Sequence, residues 1–170
     1  MQDIPIPIAT IKGRGSASRH PYRFVSQSRE QWVESVQEHD DPWYWPDSTA
    51  PRTQVTPEHA RSVITRNDSP DIGFEQSLNP YRGCEHGCSY CYARPSHSYL
   101  NLSPGLDFET RLVAKVNVAQ RLREELAQPG YSPRLIAIGT VTDAYQPIER
   151  EWGLTRQVLE VMLETQHPCA

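Results

Sequence analysis

A chain of 170 residues suffices for one domain of ordinary size, but 15 Pro, 9 Gly and an apolar fraction of 37% exclude a dense core along its whole length. A net charge of -4 excludes a globally basic nucleic-acid binder. No apolar run approaches the roughly 18 residues that span a bilayer, and the N-terminus lacks the basic and apolar regions of a signal peptide.

Residues 1–71 read as an extended, partly helical N-terminal leader. In Ile4-Pro5-Ile6-Pro7-Ile8 each proline pushes the residue before it out of the helical region. Gly13-Arg14-Gly15-Ser16-Ala17-Ser18 is a flexible link. Residues 4–29 hold Lys12, Arg14, Arg19, Arg23 and Arg29 without an acidic residue, a pattern shared by phosphate-binding arms and solvated tails. A short helix is expected from Arg29 to Val36, ended by Asp40-Asp41-Pro42. Trp43-Tyr44-Trp45, between two prolines, suits either a stacking platform for nucleic acid or an anchor that pins the leader to the body. Thr56-Pro57-Glu58-His59 predicts a helix start, with Thr56 as N-cap and Pro57 at the first position, and Ala60, Val63 and Ile64 continue it to about Arg66.

Residues 72–170 alternate between strands and helices. Thr110 to Lys115 predicts a strand, and Asn117 with Gln120 a capping box for a helix through Leu126. Pro129-Gly130 stops it. Arg134-Leu135-Ile136-Ala137-Ile138-Gly139-Thr140 is the clearest buried strand, and Leu154 to Gln166 predicts a helix with Leu154, Val158, Val161 and Met162 on one face. This order is that of parallel βαβ construction, so the expected fold class is α/β.

The chemistry concentrates in Gly83-Cys84-Glu85-His86-Gly87-Cys88-Ser89-Tyr90-Cys91-Tyr92, which carries three of the four cysteines at spacing C-x3-C-x2-C. A cytoplasmic location is expected, and in that reducing compartment clustered cysteines read as metal ligands or redox groups. Positions 84, 88 and 91 share one helical face, which would also suit small core residues. Against this, Gly83 and Gly87 each weaken a helix by about 1 kcal/mol, and a helix would spread the outer cysteines over roughly 10 Å. Three thiolates leave one coordination position open, as catalytic centres do; zinc would need a fourth ligand, for which His86 is the local candidate, and Cys169 lies far off in sequence.

Cys84, Cys88 and Cys91, with Tyr90 before the last, resemble the C-x3-C-x-aromatic-C motif of the radical S-adenosylmethionine (radical SAM) superfamily. Ser77-Leu78-Asn79-Pro80-Tyr81-Arg82-Gly83, Ala93-Arg94-Pro95-Ser96-His97 and Thr142-Asp143-Ala144-Tyr145-Gln146-Pro147-Ile148-Glu149 resemble its bacterial spore-photoproduct-lyase-like, or DNA-repair-photolyase-like, branch. Gly13-Arg14-Gly15 and Asn67-Asp68-Ser69-Pro70 share in the likeness. The resemblance implies a TIM-like (β/α)6 barrel, of which this chain holds about the first two β/α units, so that it reads as a C-terminally truncated member. It implies a 4Fe-4S cluster on Cys84, Cys88 and Cys91, and S-adenosyl-L-methionine on the remaining iron, cleaved to a 5'-deoxyadenosyl radical for lyase or other radical chemistry. Tyr90 would lie near the adenine, and Thr140, Thr142 and Asp143 near the methionyl group. Arg82 and Arg94 are candidates to offset thiolate charge or to reach a cofactor carboxylate, if they do not simply form surface ion pairs. The partners implied are an electron donor such as flavodoxin or ferredoxin, with nucleic acid as a candidate substrate. The competing reading is a noncatalytic iron-sulfur or zinc protein that keeps only the motif.

Overall fold

The computed structural model describes Gly15 and residues 51–170. The expectations for the Ile-Pro run, the basic arm, the Arg29–Val36 helix and Trp43-Tyr44-Trp45 fall outside the described residues.

Among the described residues, the strands form two open three-stranded sheets. In the first, β1 (Gln54–Glu58) runs parallel to β5 (Arg111–Lys115), which pairs antiparallel with β4 (Tyr81–Arg82). In the second, β3 (Gln76–Leu78) lies between antiparallel β2 (Ile64–Arg66) and parallel β6 (Ile136–Ile138). Pro168–Ala170 continues this sheet beyond β6, with the Ile138 amide donating to the Ala170 carbonyl at 2.8 Å and a parallel bridge joining Ile136 to Cys169. The intervening helices are a 3-10 helix (Arg94–Leu100), α1 (Leu106–Thr110), α2 (Val118–Leu126), α3 (Glu149–Trp152) and α4 (Leu154–Thr165). No helix among the described residues is long and apolar enough to cross a membrane.

The parallel pairing of β3 with β6 is of the kind the strand-helix-strand order anticipates, and α2, β6 and α4 fall where the hydrophobic periodicity places them. The helix expected over residues 56–66 is not formed. Two strands stand there instead, so the sheets draw on residues N-terminal to the expected boundary at 72. Thr56-Pro57 is locally a sound helix start, but Val55 pairs with Leu112 along a five-residue parallel register. Pro57, which has no N–H, sits on the outer strand of its sheet, where none is required.

The link between β1 and β2 is tied down by side chains of α2. Asn117 forms no side-chain cap; its carboxamide accepts from the Ala60 amide at 2.8 Å and donates to the Ala60 carbonyl at 3.0 Å. The buried Glu125 carboxylate accepts from the amides of Val63 at 2.7 Å and Ile64 at 3.1 Å. Backbone groups that would otherwise be buried unpaired are thereby satisfied.

The main core gathers Leu78, Tyr81, Leu112, Val118, Leu122, Ile136, Val158 and Val161, and α2 packs against α4 over it. Buried Tyr81 donates a hydrogen bond from its hydroxyl to Glu149 and accepts one from the Leu154 amide at 3.3 Å. Glu149 in turn accepts from the Thr155 and Arg156 amides, both at 3.0 Å, and so caps the first turn of α4. Burial and the neighbouring Glu149 carboxylate push the Tyr81 phenol well above its ordinary pKa.

Candidate metal centre

The cysteine loop leaves β4 at the carboxyl ends of the parallel pair β3 and β6, the end at which open α/β sheets bind ligands. Its path requires glycine at two points. Gly83 has φ +78°, and a Cβ there would come within 2.6 Å of Leu112 Cδ2 and 2.8 Å of the Phe108 carbonyl. Gly87 has φ +62°, and its Cβ would come within 2.6 Å of Glu109 Oε2.

Residues 84–91 form no helix. The carbonyls of Cys84, Cys88 and Cys91 instead accept from the amides of Gly87, Cys91 and Arg94, at 3.4, 3.2 and 3.4 Å, so the chain turns at each cysteine. The expectation of a glycine-wound loop in place of a helix holds.

All three thiols are free: Cys84 is buried, Cys91 half-buried and Cys88 exposed. Cys169 is also free and exposed, on the strand segment beside β6. Burial is the main cause that raises the Cys84 pKa, and the nearby Cys91 and Asp143 charges add to it. The backbone N–H groups of Asp143 and His86 oppose this by hydrogen bonding toward the sulfur. Such amide-to-sulfur bonds are among the groups that tune a thiolate-held cluster. Among the described residues, no three of His, Cys, Asp and Glu converge as a ready metal-ligating group.

The loop after β6 comes alongside. Asn79 holds it, donating from Nδ2 to Thr140 Oγ1 at 3.1 Å and accepting from the Val141 amide at 2.9 Å. Tyr92 donates its hydroxyl to the Thr140 carbonyl and so joins the two loops. Thr142 is buried, and its hydroxyl has no partner. Asp143 accepts from the Tyr145 amide at 2.7 Å in a turn, and its other oxygen lies 3.4 Å from His86 Nε2. Tyr90 is 88% exposed and takes no part in the core.

Of the residues singled out in the sequence, the structure brings Cys84, Cys88, Cys91, Tyr90, Thr140, Thr142 and Asp143 to adjoining loops. Thr140 and Asp143 already have protein partners, whereas Thr142 does not. Arg82 pairs with Glu58 at 3.5 Å in a half-exposed contact. Arg94 is turned inward: Nε donates to the Cys88 carbonyl at 3.0 Å, and the rest of its guanidinium binds the carbonyls of Gly87, Pro104 and Gly105 and the carboxylate of Glu109. All five donors are engaged, so it does not reach for a cofactor carboxylate.

Sequence reasoning missed Gln146, which is fully buried. Its Nε2 donates to the Gly83 carbonyl at 3.2 Å and its Oε1 accepts from the Glu85 amide at 3.1 Å, which fixes the backbone on both sides of Cys84. The Thr142–Glu149 run contained it, but nothing local marks a glutamine as a brace. Glu109 was missed as well; it is fully buried and gives no sequence signal within its short helix.

In donor type, though not in convergence, three thiols on one loop suit a thiolate-held cluster. The sulfurs are free on one loop, and the unpartnered Thr142 hydroxyl belongs to the adjoining loop after β6.

Similar chains are found in uncharacterized proteins of Mycobacterium tuberculosis and Mycobacterium bovis, each 43% identical over 99 residues, which is 58% of this chain and 29% of theirs. An uncharacterized protein of Methanocaldococcus jannaschii is 31% identical over 88 residues, 52% of this chain and 31% of its own. The chain thus spans under a third of the length of these relatives. No family model matches, and no solved structure does.

Proposed function

We infer that the chain carries the cluster-binding segment of a radical SAM protein, with a 4Fe-4S cluster on Cys84, Cys88 and Cys91 and S-adenosyl-L-methionine beside it. The observation that carries this is a trio of free thiols on one glycine-wound loop at the carboxyl ends of parallel strands. The cluster, when bound, supplies one-electron reductive cleavage of S-adenosylmethionine to methionine and a 5'-deoxyadenosyl radical.

The residues of the chain have separable tasks in this reading. Cys84, Cys88 and Cys91 hold iron. The buried Thr142 hydroxyl, lacking any protein partner, binds a polar group of the methionyl moiety, and Asp143 supplies a carboxylate to its ammonium once His86 lets go. Thr140 holds the loop in place through Asn79. Tyr90, exposed beside the loop, offers a ring face to the adenine. The parallel run β3, β6 and Pro168–Ala170, with α2 and α4 between, supports assignment to the first units of a (β/α)6 barrel. An electron donor of the flavodoxin or ferredoxin kind, a cytoplasmic site of action and a nucleic-acid substrate belong to the same proposal.

Anaerobic reconstitution with ferrous iron and sulfide tests it. The expected product is an iron-sulfur chromophore that Cys88→Ala abolishes and, under strong reductant, 5'-deoxyadenosine from S-adenosylmethionine. A chromophore without cofactor cleavage would favour the noncatalytic iron-sulfur alternative for this chain. Zinc uptake with no chromophore would overturn the cluster itself.

A further inference from the structure

We propose that Glu109, Arg94 and Gly15 form a latch that holds the cysteine loop in its folded path, with Glu109 as the positioning residue at its centre. The proposal rests on the metal-site reading only for its purpose; the latch itself is a statement about loop geometry.

Glu109 is fully buried, and its two oxygens serve different segments. Oε1 accepts from Arg94 Nη2 at 2.5 Å, and Oε2 accepts from the Gly15 amide at 2.9 Å. Arg94 is 11% exposed, with its guanidinium 5.4 Å from the centroid of the Phe108 ring. It carries the constraint onward to the Gly87 carbonyl at 2.9 Å and the Cys88 carbonyl at 3.0 Å. A buried carboxylate without its cation is costly, so neither partner leaves this arrangement alone. The fan of donors also needs a planar guanidinium; the three-donor ammonium of lysine cannot make it.

Gly15 closes the latch from the other side. A Cβ at Gly15 would stand 1.6 Å from the Gly87 carbonyl oxygen, so the two glycines touch backbone to backbone. Alanine at 15 therefore displaces either the Gly87 carbonyl, which Arg94 holds, or the Gly15 amide, which Glu109 holds. Gly15 lies far outside the core in sequence, 94 residues from Glu109, yet it reaches the residue next to Cys88.

The test uses the metal-free 170-residue chain and iodoacetamide labelling of each cysteine, followed by mass spectrometry. Cys84, buried in the parent, is expected to label about tenfold faster in Glu109→Gln, Arg94→Lys and Gly15→Ala, the factor for losing about one charge-assisted hydrogen bond. Cys169, already exposed beside β6, is expected to label at the parent rate and serves as the reference for thiol reactivity, while far-UV circular dichroism reports an intact body. If Glu109→Gln loses the parent's circular dichroism, it has unfolded, and Gly15→Ala, which removes no core contact, decides. Unchanged Cys84 labelling in Gly15→Ala and Arg94→Lys overturns the latch. Iron uptake after anaerobic reconstitution separates this from failure of the metal reading: a parent that takes up no iron, with faster Cys84 labelling in the variants, leaves the latch standing and removes its proposed purpose.

Discussion

Beneath α2 and α4, Leu78, Val118, Leu122, Ile136, Val158 and Val161 are sealed from solvent and touch one another, whereas around Cys84–Cys91 a small apolar cluster of Cys84, Ala93 and Phe108 is supplemented by hydrogen bonds from Arg94, Gln146 and Tyr92 onto main-chain groups. Burial is non-directional and resists disruption through total area; a hydrogen-bonded brace sets direction and resists little else. The first region decides whether the chain folds. The second decides what shape three thiols take once it has.

This contrast is sharpest under substitution. Leu122→Ala should remove about 3 kcal/mol from global stability in denaturant titration, because its side chain is fully buried between α2 and the core. A loss near zero would mean that the helices are not packed as described.

Lys115 tests the border between the regions. Burial, with Arg82 nearby, holds its ammonium down at about 8 from 10.5. The unfolded chain then binds more protons between those values, so the stability contributed by neutral Lys115 is complete above 10.5 and is lost as pH falls through 8. The full effect is on the order of 3 kcal/mol. Tyr81 and Cys84, both raised, act in the opposite sense at alkaline pH. The measurement is therefore the difference between parent and Lys115→Met across pH 7 to 10, which should shift in the parent's favour as pH rises. A flat difference would place the ammonium in water.

Gln146→Leu should cost about 1–2 kcal/mol by leaving the Gly83 carbonyl and Glu85 amide unpaired, and should speed Cys84 labelling more than it lowers the unfolding midpoint suggests. Equal changes in local labelling and global stability would erase the distinction between the regions. At the small end, Arg123→Ala on the solvent side of α2 should leave the thermal midpoint unchanged, although its guanidinium grips Glu164 with two bonds of 2.9 Å. A clear drop would show that the pair, and not the apolar face, joins α2 to α4.

The same division explains what could be read from the sequence. Ile136–Ile138 and Leu154–Thr165 announce themselves because hydrophobic pattern is a local signal for burial. The spacing of Cys84, Cys88 and Cys91 and the two glycines is equally local. Residues 56–66 misled because their strands depend on Leu112, Asn117 and Glu125, all more than 50 positions away. Asn117 misled for a related reason: its amide serves Ala60 and leaves the helix start uncapped. Glu109 and Gln146 are unremarkable until the fold brings backbone groups to them.

The Gln146 brace also orders events in time. The amide that shapes the loop is synthesised 63 residues after the Gly83 carbonyl it holds. A nascent chain therefore presents three accessible thiols before the group that arranges them exists, and long-range pairings of this kind form slowly. A ligand of the thiols arriving early would meet an unshaped trio; one arriving after residue 146 has docked would meet a loop with a set direction at Cys84. The shape of the loop is timed by the arrival of a glutamine.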